Sequence, residues 1–235
     1  MNVLRGMERH LGALYESDER GRLLGERAPS GGPAPRFHLA RTRLGNLWRL
    51  RRDLEPEVAI RLATLAGKEA PLGARSAPPE REEFLRRALE QSAPIEAHWA
   101  GPAFGLPDML AKLPDSGARL RELAVDDVAR VHRELGLQAA DLARAGCIGA
   151  EVGGEIVSVC QCVRGDGSGP TEAGVRTASD YRGRGYGGAV VRAWCDWVGS
   201  RGGEPLYSTS WDNAASRALA ARLGLVLLGE DRHWR

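Results

Sequence analysis

Tyr181-Arg182-Gly183-Arg184-Gly185-Tyr186-Gly187-Gly188 decides how this chain is read. Before it, Glu172-Ala173-Gly174-Val175-Arg176-Thr177 reads as a strand. After it, a helix is expected from about Gly185 to Val198, with Val190, Val191 and Trp194 on one face. The glycines let the backbone turn tightly and approach a ligand closely. The orphan amides at the start of the following helix point outward, and its dipole favours an anion there. Arg182 and Arg184 add positive charge. Together these make the chemistry of a pyrophosphate cradle. A plain glycine turn competes with that reading, because glycine is common at turns. Gly183, Gly185 and Gly188 also satisfy the G-x-G-x-x-G dinucleotide pattern. Residues 178–182 separate them from the strand, however, and too little chain follows to build a doubly wound sheet.

Working outward, Pro205-Leu206-Tyr207-Ser208-Thr209-Ser210-Trp211 reads as a strand, and a last helix runs from about Asn213 to Leu223, stopped by Gly224. Upstream, Val125-Asp126-Asp127 leads into an expected helix through Val128, Val131 and Leu135. Cys147-Ile148-Gly149-Ala150 and the run from Ile156 to Val163 read as strands, joined as a hairpin by Val152-Gly153-Gly154-Glu155. The order helix, hairpin, strand, helix, strand, helix, strand gives an α/β or α+β domain with helices packed on one mixed sheet.

The N-terminal part has its own pattern. Ser30-Gly31-Gly32-Pro33-Ala34-Pro35 is an early loop, followed by two alternating segments, Arg36 to Arg41 and Gly45 to Leu50, that read as strands. Glu55-Pro56-Glu57 and Pro78-Pro79-Glu80 each open a helix, because proline suits the first turn and acids suit the positive dipole end. The first helix buries Val58, Leu62 and Leu65; the second is expected to bury Phe84, Leu85 and Leu89. Prolines, glycines and serine over 106–117 place a domain boundary there, giving an N-terminal α+β domain at 1–117 and a second domain at 118–235.

The bulk numbers fit this. The chain has 235 residues, 43% hydrophobic and 27% charged, with a formal net charge of +2. Those are globular values, and the near-neutral balance argues against nucleic acid or an anionic membrane as partner. No apolar run approaches the roughly 20 residues of a membrane span. The charged stretch from Met1 to Arg9 is unlike a secretory leader, so a reducing cytoplasm with free thiols is the expected setting. Of the four cysteines, Cys147, Cys160, Cys162 and Cys195, the pair Cys160-Gln161-Cys162 has one intervening residue, not two, so these two read as small apolar fillers on one strand face rather than metal ligands. The histidines, His10, His38, His98, His132 and His233, show no ligand spacing.

The glycine loop resembles the phosphate loop of the GCN5-related N-acetyltransferases, Arg/Gln-x-x-Gly-x-Gly/Ala, through Arg182, Gly185 and Gly187. Asn213, followed eleven residues later by Gly224, resembles the family's Asn…Gly-aromatic helix, with Leu225 in place of the aromatic. The resemblance covers about 120 to 235. It implies a mixed, mostly antiparallel twisted sheet flanked by helices, and acetyl-CoA as co-substrate. The donor would lie along Val175, Arg176 and Thr177, on Arg182, Gly183, Arg184, Gly185, Tyr186, Gly187 and Gly188, and against Asn213 and Ser216.

The activity so implied is direct attack of a primary amine, from a small molecule or peptide, on the thioester. Glu172 matches the strand glutamate that serves as base. The family's acid, a tyrosine on the last helix, falls at Ala220, leaving Tyr207 or Ser216 as substitutes, or unassisted departure of a thiolate with a pKa of about 8.5. Ala220 keeps open the alternative of a non-catalytic acyl-CoA-binding module. The N-terminal half reads either as a cover for the acceptor groove or as a decayed second copy of the fold, in a monomer or homodimer.

Overall fold

The computed structural model describes residues 2–27, 31–73, 77–107 and 109–235. Ser30 of the expected early loop and Asp108 of the expected boundary lie outside these. In chain order the elements are α1 (Val3–Leu14), β1 (Tyr15–Ser17), β2 (Leu23–Glu26), β3 (Phe37–Thr42), β4 (Gly45–Leu50), α2 (Pro56–Gly67), α3 (Glu82–Glu90), β5 (His98–Gly105), β6 (Arg119–Glu122), α4 (Ala139–Leu142), β7 (Ile148–Val152), β8 (Glu155–Arg164), β9 (Pro170–Thr177), α5 (Tyr186–Ser200), β10 (Glu204–Ser208), α6 (Ala214–Leu223) and β11 (Val226–Trp234). Short 3-10 turns lie at Val125–Arg130, Arg133–Leu135 and Ser179–Tyr181.

Two compact units share the chain. The first comprises Met1–Gly105, Ser208–Asn213 and Leu227–Arg235; the second comprises Leu106–Tyr207 and Ala214–Val226. In the first unit, β3 pairs antiparallel with both β4 and β11. Its core joins Phe37, Leu39 and Trp234 of the sheet to Val58, Leu62, Ala66, Leu85, Ala88 and Leu89 of α2 and α3. Phe84, expected inside, is 52% exposed. The buried stripe of α3 is Leu85, Ala88 and Leu89, spaced i, i+3, i+4. Phe84 sits about 100° around the helix from Leu85 and misses the stripe.

In the second unit, β6, β7, β8 and β9 form antiparallel neighbours and β10 adds in parallel to β9. Gly153 and Gly154, both at positive φ, turn the β7–β8 hairpin between Val152 and Glu155, as the sequence implies. α5 buries Tyr186, Val190, Val191, Trp194, Cys195 and Val198 along one stripe. Each fully buried Val or Leu side chain is worth about 1.5–3 kcal/mol, so this stripe dominates the attachment of α5.

The expected helix through Val128, Val131 and Leu135 is instead two 3-10 turns. Val131 bridges Ile156 of β8, and the His132 N–H donates to the Ile156 carbonyl, so these backbone groups serve the sheet rather than a helix. Trp211, expected in a strand with Tyr207, lies past the end of β10; its N–H and that of Thr209 donate to the Ala100 and Pro102 carbonyls within the first unit.

Candidate functional site

The site grows from a fork in the sheet of the second unit. β9 and β10 are parallel and pair only at Glu204↔Pro170, Pro205↔Thr171 and Leu206↔Glu172. β9 then continues to Thr177, with β8 as the partner on its other edge. The Ala178 N–H donates to Val157 of the β8 strand. By the period of two, Arg176 faces that same edge, so the backbone groups of Val175 and Thr177 face the side that β10 has left. An extended polar chain fits this side, where it can complete the ladder.

At the far end of β9 the chain makes a 3-10 turn, pinned by Glu134, whose carboxylate accepts from the Ser179 N–H at 2.7 Å and from its hydroxyl at 2.9 Å. Those bonds hold the Glu134 carboxyl below its ordinary range. The glycine loop follows. Gly183 and Gly185 have φ of +75° and +89°, so both turns need glycine. Gly185 caps α5, and the first bond into the helix runs from the Ala189 N–H to the Gly185 carbonyl. The amides of the preceding residues therefore lack helical acceptors and suit a phosphate. Gly187 stands against β9: a methyl group there would lie 3.2 Å from Thr177 Oγ1.

The expected donor-binding residues thus separate by role. Val175 and Thr177 offer backbone at the fork, while the Arg176 side chain turns away and donates to the Leu135 carbonyl at 2.7 Å. Arg182 Nε donates back to the Thr177 carbonyl at 3.1 Å, and the Arg184 guanidinium lies 5.5 Å from the Tyr181 ring centre. Both arginines are exposed at the loop. The Tyr186 side chain is buried, so only its backbone faces the loop.

The candidate catalytic residues flank the fork. Glu172 forms the last β9–β10 rung and is 6% exposed, a buried carboxylate rather than a solvated strand end. Tyr207 is the next β10 residue, on the opposite face by strand alternation. Its hydroxyl lies 2.6 Å from Ser216 Oγ in the first turn of α6. Burial pushes the Tyr207 phenol up, against the lowering effect of the Ser216 bond, so it holds its proton. Ala220, fully buried, lies one turn further along α6. Asn213 directly precedes α6, and Gly224 ends it at φ +70°, with the Leu225 N–H donating to the Ala220 carbonyl.

Residues 118–225 match the family described as acetyltransferase (GNAT). That segment is a GNAT-family acetyltransferase domain. The GNAT match contains the fork, the glycine loop and α6. Solved structures that resemble the chain include a GNAT-family acetyltransferase from Novosphingobium aromaticivorans, with 19% identity and TM-score 0.49, covering 60% of this chain and 65% of that one. A GNAT-family acetyltransferase from Colwellia psychrerythraea has 11% identity and TM-score 0.49, over 93% of this chain and 78% of that one. A GCN5-related N-acetyltransferase-like protein from Streptococcus suis has 16% identity and TM-score 0.49, over 99% and 100% of the two chains. No match was found among curated proteins.

Elsewhere the four cysteines carry free thiols, and no cluster of three or more metal-ligating side chains occurs among the described residues. No described helix is long and apolar enough to cross a membrane. Sequence reasoning missed one feature of the site. Residues 111–116, read as a domain boundary, lie against α5 and α6 in the second unit. Alternation of half-buried Ala111 and Leu113 around exposed Lys112 was the available signal.

Proposed function

We propose that the protein is an acyl-CoA-dependent N-acyltransferase that moves an acetyl group from acetyl-CoA to a primary amine by direct attack. The observation that carries this is the fork after Leu206↔Glu172, with the glycine turn at its far end. A pantetheine arm suits the open edge at Val175 and Thr177, and a pyrophosphate suits the amides before Ala189. In this reading the amine forms its bond to the acyl carbon, the C–S bond breaks, and two protons move. Glu172 takes one from the amine, directly or through water. The Tyr207–Ser216 pair returns one to the sulfur. A general acid or base of this kind typically contributes 10²–10⁴-fold.

The rival reading, an acyl-CoA-binding module without turnover, draws on Ala220 at the position where the family's acid stands. Thiol release from acetyl-CoA, measured against a panel of amines, separates the two. Release that depends on an added amine and falls in Glu172→Gln supports the enzyme. Calorimetric binding of acetyl-CoA with no release from any amine, unchanged in that variant, supports the module.

A further inference from the structure

The segment joining β5 to β6 is fastened to both helices of the donor site. The Ala111 N–H donates to the Leu223 carbonyl at 3.1 Å, which satisfies one of the last carbonyls of α6. The Ala111 carbonyl in turn accepts from Arg192 Nη1 of α5 at 2.9 Å. Two residues on, Leu113 enters the notch left by Gly188: a methyl group at Gly188 would fall 2.7 Å from Leu113 Cδ1. Gly188 thus gives the Leu113 side chain its close seat, whereas Gly183 and Gly185 are needed for their backbone angles. The segment then reaches the loop itself, where Ser116 Cβ lies 3.8 Å from the position a Gly185 methyl group would take. Ser116 Oγ accepts a long bond from the Ala118 N–H, 3.4 Å, which leaves its proton available to an acceptor.

We propose that residues 111–116 form the outer wall of the phosphate site, and that the Ser116 hydroxyl donates a hydrogen bond to the donor's pyrophosphate. The wall is supplied by chain that precedes the GNAT match at 118, so it belongs to this protein's connecting segment rather than to the shared domain. Leu113 in the Gly188 notch and the two Ala111 bonds hold it in place. The inference rests on the glycine loop being the acyl-CoA site, and it adds a binding residue to that site.

Calorimetry with coenzyme A on the full chain tests it. Ser116→Ala is expected to weaken binding about tenfold, the scale of one hydrogen bond to a charged oxygen. Ser116→Thr, which keeps the hydroxyl, restores most of it. Leu113→Ala is expected to weaken binding several-fold by loosening the wall. A second readout uses the Lys112–Leu113 bond. Bound coenzyme A should slow cleavage there by a lysine-specific protease several-fold in the wild-type chain, followed as release of 113–235, and unchanged cleavage in protein that binds coenzyme A would refute the wall. If wild-type protein binds coenzyme A and Ser116→Ala binds it equally well, the wall is refuted while the donor site stands. Tighter binding in Leu113→Ala would also refute it, because the segment would then be an obstruction. Wild-type protein that does not bind coenzyme A refutes the donor site itself, and the wall with it.

Discussion

Tyr207 Oη and Ser216 Oγ are 2.6 Å apart, tying the end of β10 to the first turn of α6 beside the fork. The pair sits one helical turn before Ala220. Helical side chains lean toward the N-terminus, so a long side chain at 220 would reach back toward Ser216. The Tyr207 hydroxyl reaches that neighbourhood from β10, beside the Ser216 hydroxyl of α6 itself. Tyr207→Phe should therefore lower kcat by about ten- to a hundredfold, within the usual span for a proton donor and near its lower end because a thiolate leaves tolerably well. Coenzyme A affinity should stay within about twofold. Steady-state rates with the amine that gives thiol release, together with calorimetry, check both halves. An unchanged kcat would remove the pair from the chemistry.

The glycine turn gives a separable pair of outcomes. Gly185→Glu places a carboxylate at the proposed pyrophosphate position and forces an L-residue to φ +89°, so coenzyme A binding should be lost. Gly183→Ala suffers only the backbone cost of a left-handed residue, on the order of 1–2 kcal/mol, because no atom lies within 4 Å of the added methyl group. It should weaken binding and lower the melting temperature slightly. Equal affinity for Gly185→Glu and wild type, measured by calorimetry, would move the donor elsewhere.

Legibility in the sequence followed how local each determinant is. Pro56 with Glu57 marks the start of α2, and Gly153-Gly154 turns a hairpin, because the cause lies within a few residues. The loop from Arg182 to Gly188 was readable for the same reason: backbone angle and charge are properties of the residues themselves. What failed were features set at a distance. Val131 and His132 leave the helical pattern because β8 takes their backbone. β5 announces itself in no local period, the docking of 111–116 shows only as the brief alternation Ala111-Lys112-Leu113, and β11 returns from the far end of the sequence to pair with β3. No local pattern marks the fork, since it depends on where β9 and β10, far apart in sequence, stop pairing.

His233 predicts an acid sensitivity in the first unit. It stacks on Trp99 with centres 5.3 Å apart and on His38 at 5.7 Å. Burial, reinforced by the charge of His38, pushes its pKa down to about 3, against the pull of Asp231; Arg235 and His98 add further to the lowering. The unfolded chain, with a histidine pKa of about 6.5, binds more protons between the two values. Stability therefore falls as pH drops from about 6.5 toward 3, with a slope of at most about 1.4 kcal/mol per unit from this residue. His233→Phe keeps an aromatic ring on Trp99 and should flatten that part of the profile. Urea titrations at closely spaced pH values measure the slopes, and parallel profiles for the two proteins would refute the assignment.

Asp231 works in a lower window and with the opposite preference for charge. It is 1% exposed, and its two oxygens meet His10 Nε2 at 2.5 Å and His38 Nε2 at 3.1 Å, while the Tyr15 hydroxyl lies 3.0 Å from His38 Nδ1. Burial alone would raise the carboxyl, but the attraction and hydrogen bond of His10, followed by those of His38, outweigh it and hold it well below the usual range. A depressed carboxyl stabilises the fold at every pH above its unfolded value of about 3.9, and that contribution disappears as acid protonates the folded form. Asp231→Asn keeps the shape and removes the charge, leaving two buried imidazoles facing an amide. Breaking one member of a buried charged set costs about 3–5 kcal/mol, so the variant should lose that much at pH 7 and show a smaller further loss below pH 4 than the wild type. If Asp231→Asn matched wild type in urea at pH 7, the ion-pair account of this core would fail, and Tyr15, His38 and His10 would have to be explained as packing alone.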